Sequence, residues 1–395
     1  MLSAKNKWLA LISFSLSAGL SQFLWLNFAP LITFIQSKYG VSEDYAGLLL
    51  LVFPLTYVLL SIPAGKLIDR KGYRFSICLG SILMAAFACL RVYEGSFWVL
   101  LIAQIGISIA QPFIVNAITK LVLDWFEKEH HAIATGLGTM GMFIGMALGL
   151  LVTPILVKSS GYSFAMTLFA LVSVFSTMLC FWGIKYNPEK KMESHFTEIS
   201  LSLKDFFADR QLLILFILSF LGLGFFNGLT TWIELIMAPN GINSVQAGII
   251  GSFLIFGGII GAVVIPLLSD YFKKRRPFFI LSILIALATT LPLCKSEGYH
   301  LLLGLAFLQG FFFLPAYALL LEMCSEWVGE EKAGSATGIL MLMGNAGGVI
   351  VIIAMDALKE PQFLRSVYLL VGILAVSFFT AMALAETYPS EETAT

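Results

Sequence analysis

The sequence predicts an all-α membrane protein in which twelve transmembrane helices form two parallel six-helix repeats. Three observations carry this reading. The 395 residues are 58% hydrophobic and only 12% charged, about half the charged fraction of a soluble domain, and the mean hydropathy is +0.90. The apolar residues fall in runs long enough to cross a bilayer. Features of the first half then recur in the second at a nearly fixed offset. A soluble protein this apolar would have to expose its core, whereas lipid tails solvate the outside of every helix.

A span needs about 20 mostly apolar residues. The runs that meet this lie at 8–35, 45–65, 75–92, 97–121, 131–157, 163–184, 211–238, 245–270, 277–294, 299–325, 333–356 and 363–385. One joining segment, 185–210, is polar (Lys185, Glu189, Lys190, Lys191, Glu193, His195, Asp205, Asp209, Arg210) and follows the sixth run. The expected organisation is an N-terminal bundle at 1–184, a cytoplasmic linker at 185–210 and a C-terminal bundle at 211–395. No small-residue cleavage site follows the first run, so it reads as a retained span and not as a signal peptide.

Lysine and arginine positions set the orientation. With a cytoplasmic N-terminus, 18 of the 24 fall inside, while Lys38, Arg91, Lys158, Lys295, Lys359 and Arg365 fall outside. Both termini are then cytoplasmic, and the short ends fit a plasma membrane protein of the bacterial inner membrane kind. The formal net charge is zero, which gives no basic surface for nucleic acid. Cys78, Cys89, Cys180, Cys294 and Cys324 sit in or beside apolar runs with no CxxC spacing and read as small helix residues, neither metal ligands nor disulfide partners.

The repeat is visible residue by residue. Asp69 recurs as Asp270 after 201 positions, Trp125 as Trp327 after 202 and Pro112 as Pro315 after 203. Ala134-Thr135-Gly136 recurs as Ala336-Thr337-Gly338, and Ala29-Pro30 as Ala238-Pro239. Parallel repeats suit a rocker-type carrier whose site lies near the bilayer midplane.

The loop Gly65-Lys66-Leu67-Ile68-Asp69-Arg70-Lys71-Gly72-Tyr73-Arg74 resembles the signature between spans two and three of the major facilitator superfamily. The resemblance covers the whole chain and implies that family's fold, with Gly65, Asp69, Arg70, Gly72 and the second-copy Asp270 as conformational gating residues. Gly65 is expected to permit close helix approach, Asp69 to favour a helix N-terminus and Gly72 to make a tight turn. The second copy, running from Pro266 to Arg276, keeps Asp270 and the basic run but lacks the glycines.

A narrower pattern consists of Ala110-Gln111-Pro112-Phe113-Ile114, Asp124-Trp125-Phe126 and Gly334-Ser335-Ala336-Thr337-Gly338. It is similar to the feline leukaemia virus subgroup C receptor group, whose members carry choline or related amines and for which haem export has been proposed. That resemblance places Trp25 and Gln111 in an aromatic cage. Where the group's pattern has a tyrosine in span seven, this chain has Asn227.

Polar residues at mid-membrane depth are functional candidates. The expected substrate-binding set is Gln22, Trp25, Asn27, Gln111, Asn116, Asn227, Thr230, Thr231, Tyr317 and Asn345, with Gln309 alongside. Each amide has an equal claim to be interhelical glue, worth about 0.6 kcal/mol. Glu234 and Glu322 are the candidates for coupling to a proton or cation, and Asp356 reads as reaching a wet interface. Trp232 reads as an interface anchor. The glycines of spans five and eleven are expected at a packing seam between the halves.

No lysine or arginine is placed in the cavity, which turns the expected substrate from anions toward cations, zwitterions and neutral metabolites. No histidine is placed inside a span, so neither haem ligation nor a histidine proton relay is expected. No catalytic constellation, metal site or cofactor is predicted, and the chain does not read as an enzyme. The expected function is secondary active or facilitative transport of a choline- or amino-acid-like metabolite by a monomer in a lipid bilayer, working by rocker-switch alternating access. Efflux of hydrophobic compounds and a non-transporting receptor on the same scaffold are the alternatives.

Overall fold

The computed structural model describes residues 2–127, 130–185, 203–360 and 363–388, and no strand occurs among them. The chain divides into two compact units, Met1–Glu198 and Ile199–Thr395. Most of the polar segment at 185–210, including Glu189, Lys190, Lys191, Glu193 and His195, lies outside the described residues.

The first unit begins with α1 (Leu2–Leu26), a 3-10 turn at Ala29–Leu31 and α2 (Ile32–Tyr39). It continues with α3 (Glu43–Leu90), α4 (Phe97–Val115), α5 (Ile118–Trp125), α6 (His131–Ser160) and α7 (Tyr162–Gly183). The second holds α8 (Leu203–Ala208), α9 (Arg210–Thr231), α10 (Ile233–Met237), a 3-10 turn at Ala238–Asn240 and α11 (Ser244–Tyr271). It ends with α12 (Arg276–Lys295), α13 (Tyr299–Val328), α14 (Glu330–Ala357) and α15 (Leu364–Ala381).

Eleven of these helical runs, among the described residues, are long and apolar enough to cross a membrane. One of them, α3, has 48 residues. At about 1.5 Å per residue that is roughly 72 Å of helix, more than twice a hydrocarbon core of about 30 Å. It therefore supplies two spans, divided at Gly72, whose φ of 83° and ψ of 160° interrupt the helix. The total is the twelve that the sequence predicts. L-residues avoid that backbone region, so the signature glycine is needed where it stands. In the second copy the residue 201 positions on is Lys273, which takes φ 52° without being glycine.

Within each unit the broken helix packs on the fifth span of its repeat, α1 on α6 and α9 on α14. Glycine makes both contacts. A Cβ at Gly145 would lie 1.9 Å from the Gly19 carbonyl oxygen, and one at Gly347 would lie 1.9 Å from that of Phe220. The seam expected between the halves is therefore corrected. Gly141, Gly145 and Gly149 press on α1, and Gly344, Gly347 and Gly348 press on α9, each inside its own unit. Gly65 is a second correction, since no atom lies within 4 Å of where its Cβ would be.

Replacing Gly145 or Gly347 by alanine must move a backbone and is expected to destabilise by at least the 1–3 kcal/mol of ordinary overpacking. Gly338 faces open space, so Gly338→Ala should be neutral or stabilising by up to about 1 kcal/mol. Melting curves of the detergent-purified variants test the contrast, and equal losses at Gly145 and Gly338 would refute the packing assignment.

Candidate functional site

Spans one and seven are both interrupted after an apolar helix, and in both the Ala-Pro pair noted in the sequence forms the following 3-10 turn. Proline suits that position, because it has no N–H to leave unpaired. A break inside an apolar layer frees carbonyls that water cannot reach. In the first unit the Leu24 oxygen accepts from Gln104 Nε2 at 3.2 Å and from Arg91 Nη2 at 3.5 Å. Gln104 Nε2 also donates to Leu49 O at 2.9 Å, and Trp25 Nε1 to Leu50 O at 3.1 Å. The Trp25 indole stacks on Phe53 at 5.8 Å and 21°, so its plane is fixed.

The second unit holds its break with a different tryptophan. Trp232 is 1% exposed, donates from Nε1 to Ile352 O at 3.3 Å and lies against Phe363. The interface-anchor reading of Trp232 is therefore corrected. Glu234 follows it in α10, is 3% exposed, and accepts from Ser244 Oγ at 2.6 Å in the first turn of α11.

The remaining polar candidates divide by whether their bonding capacity is used. Asn116 accepts from Tyr57 Oη at 2.9 Å and donates to Ser61 Oγ at 3.0 Å, so it ties α4 to α3. Gln309 is saturated by Thr289 and Thr290 of α12. Thr230 bonds back to Phe226 O, and Asn345 to Met341 O. Each of these bonds lies within one unit, and those of Thr230 and Asn345 within a single helix. Buried atoms without a hydrogen-bond partner remain at Gln22 Nε2, Asn27 Nδ2, Asn227 Oδ1 and Thr231 Oγ1. Gln22, Asn227 and Thr231 lie toward the ends of α1 and α9, and Asn27 directly follows α1, so all four stand at the breaks. Gln111 is nearly buried in the turn of α4 that holds Pro112. Tyr317 borders a small crevice with Phe279 and Phe313.

A groove of about 650 Å³ between α1, α6 and α7 in the first unit is apolar and touches none of these candidates. Arg91 is a cation buried inside the first unit, a position that the count of loop cations does not reveal. It ends α3 and is 2% exposed, with Nη2 3.0 Å from Asn27 Oδ1 and the guanidinium 4.4 Å from the Phe28 ring centre. Nothing in its own heptad marks it, but a mid-span Asn27 followed by Pro30 was the available hint of a break needing donors.

The signature turns are built on different chemistry in the two copies. Asp69 pairs with Lys120 of α5 at 2.9 Å on the surface of its own unit, and Arg70 is exposed. Inside that turn the Tyr73 hydroxyl donates to Asp124 at 2.7 Å and receives the Trp125 indole N–H at 2.9 Å. At the matching positions, 202 residues on, Arg275 meets Glu326 at 3.0 Å. The same guanidinium meets Asp270 at 2.6 Å and Glu322 at 3.2 Å. Burial works to lower the Arg275 pKa, and Glu326, Glu322 and Asp270 more than reverse it, holding it above the ordinary value. Glu322 is thus a member of a charged cluster at a helix end. Glu386, after the last helix, accepts from the Arg275 and Arg276 amides at 2.7 and 3.2 Å.

The family model of the Major Facilitator Superfamily matches residues 14–293 and 234–395. The chain belongs to that superfamily. A solute carrier family 49 member A3 of Xenopus tropicalis is 26% identical over 383 residues, 90% of this chain and 79% of the relative. A choline/ethanolamine transporter FLVCR1 of Felis catus is 26% identical over 406 residues, 94% of this chain and 72% of the relative. Among solved structures, a bacterial homologue of the human lysosomal transporter Spinster covers 95% of this chain and 97% of its own. It has a TM-score of 0.74 at 15% identity, a likeness of fold alone. This superfamily member is accordingly a multi-pass integral membrane transporter with the major facilitator fold of two six-helix repeats.

Two outcomes follow from the turn chemistry. Arg275→Met would leave Asp270, Glu322 and Glu326 around a lost cation and should cost about 3–5 kcal/mol, whereas Asp69→Asn removes an exposed pair worth about 1 kcal/mol or less. Thermal denaturation of both variants should show the larger loss at Arg275.

Asp209 caps α9, accepting from the Gln211 and Leu212 amides at 2.8 and 3.0 Å and from Trp327 Nε1 at 3.1 Å. Burial opposes its ionisation, but these donors prevail and depress its pKa. Its stabilisation is complete above the unfolded carboxyl pKa of about 3.9 and is lost as pH falls through the lower folded value. Asp209→Ala should therefore cost about 1 kcal/mol at neutral pH. The difference from the parent protein should shrink below about pH 4, and a pH-independent gap would contradict the assignment.

Proposed function

We propose that this superfamily member is a secondary active or facilitative carrier of a small organic cation or zwitterion of the choline or ethanolamine kind, working by rocker-switch alternating access. The observation that carries the proposal is the pair of matching helix breaks. Unpartnered polar atoms of Gln22, Asn227 and Thr231 cluster in the last turns before them. Discontinuous helices are where transporters of this type expose ligating groups. Trp25, held rigidly by Leu50 and Phe53, supplies an aromatic surface for a quaternary or primary ammonium group. The FLVCR1 relative, described as a choline/ethanolamine transporter, supports the same substrate class.

Glu234 is the carboxylate assigned to coupling or to charge balance for a cation, because it is buried beside the break in span seven. Glu322 takes part in gating through Arg275. The termini are assigned to the cytoplasm on the distribution of lysine and arginine. Gly72, Asp69 and Asp270 are assigned to the moving turns, and the bundles at 1–184 and 211–395 to the two moving bodies.

The test is uptake of labelled choline and ethanolamine into proteoliposomes, together with ligand-induced thermal stabilisation in detergent. Both signals should appear in the parent protein and disappear in Trp25→Ala and Asn227→Leu, while Asn345→Leu keeps them. Stabilisation by organic anions alone, indifferent to Trp25, would overturn the substrate class.

A further inference from the structure

Arg91 stands in a cluster that contains more buried donors than acceptors. Its Nη2 is used by Asn27 and Leu24, but Nε and Nη1 have no hydrogen-bond partner. Asn27 is 0% exposed and its Nδ2 is equally unsatisfied. The hydroxyls of Tyr39 and Tyr162 are buried, and both lie within electrostatic reach of the guanidinium and of each other. The two hydroxyls meet each other in a loose contact that leaves hydrogen-bonding capacity on both.

No carboxylate among the described residues pairs with Arg91. Glu94 is the acid of this region, and it is bound by Lys38 and Ser163. Lys38 itself lies over the Tyr162 ring at 4.8 Å. A guanidinium keeps its proton at neutral pH even when buried.

An uncompensated buried charge is among the most expensive features a fold can hold, and unpaired buried donors add to the cost. Arg91 Nε and Nη1 and Asn27 Nδ2 can only donate, and the two hydroxyls can donate as well as accept, so an anion would satisfy them together. Phe28 covers one face of the guanidinium and Arg91 is 2% exposed, so the ligand must be compact.

We propose that Arg91, Asn27, Tyr39 and Tyr162 bind one halide-sized anion, chloride in the cell, which braces the break in the first span. The site is separate from the amine reading of Trp25, Gln22 and Asn227 and does not depend on it. Chloride here acts as a structural ligand bound to the folded protein, with no transport implied.

The experiment is melting of the full-length protein in sodium chloride, bromide and gluconate at matched ionic strength, over a range of halide concentrations. A saturable rise in melting temperature is expected with chloride and bromide but not with gluconate. Tyr39→Phe and Tyr162→Phe each delete one donor from a ring that stays in place, so both should fold and need severalfold more halide for the same rise. Arg91→Gln should lose the halide response altogether, and the tyrosine variants decide the matter if it does not fold. Trp25→Ala should keep the response, which separates this result from failure of the amine reading. Bromide should appear as an anomalous scatterer in contact with the Arg91 guanidinium. Equal melting in all three salts would overturn the proposal, as would a halide response unchanged in both tyrosine variants. Stabilisation only by zwitterionic carboxylates, or an ordered water at the site in high bromide, would overturn it too.

Discussion

A helix that stops inside a bilayer must find partners for the carbonyls it releases, because hydrocarbon offers none. In this molecule that demand is met at the break in span one, and the break in span seven is tied to its neighbours in the reverse sense. In the first unit Gln104 and Arg91 bind the Leu24 oxygen released at the break, while Gln104 also reaches Leu49 O and Trp25 reaches Leu50 O of α3, whose own helical donor is lost to Pro54. In the second, residues at and after the break are the donors: Trp232 reaches Ile352 O of α14 and Asn240 reaches Cys294 O of α12 at 2.9 Å. Such bonds work only if neighbouring backbones are close. Glycine contacts of α6 on α1 and of α14 on α9 bring them there. The last turns of α1 and α9 are thereby held in place while buried polar atoms of Gln22, Asn227 and Thr231 keep unused hydrogen-bonding capacity.

The two units hold matching breaks with different residues. Trp25 precedes its break, whereas Trp232 stands at it, yet each indole N–H ends on a backbone oxygen of another helix. Gly72 adopts its positive φ at no steric cost, and Lys273 adopts one in the second copy despite its Cβ. Topology and backbone shape are held in common while the side-chain chemistry has diverged. That divergence is why the sequence repeat is visible only at scattered positions.

The fold was legible in the sequence because the bilayer imposes a ruler on it. Runs such as 245–270 and 277–294 lie within a residue or so of α11 and α12 at each end. Gly72 was legible because its backbone conformation is local. The environment of Arg91 was not, since its burial depends on Asn27, 64 positions earlier. To a rule that counts loop cations, Arg91 is a loop residue. The glycines of span five announced a close contact but not its partner, and spacing along one helix cannot say which neighbour it meets. Among the candidate amides, sequence alone could not separate Asn116, which is spent on Tyr57 and Ser61, from Asn227, whose oxygen is unpaired.

The exchange of Tyr73 and Asp124 for Arg275 and Glu326 has a consequence for how the protein senses its medium. A neutral phenol donating to one carboxylate is nearly blind to ionic strength. A guanidinium among Asp270, Glu322 and Glu326, two of them more than two-fifths exposed in their side chains, is partly open to screening by salt. The first copy has its own screenable pair, Asp69 with Lys120, but at the edge of the turn. Salt therefore weakens the first turn at its periphery, leaving the Tyr73–Asp124 contact in place, and the second at its centre, through Arg275.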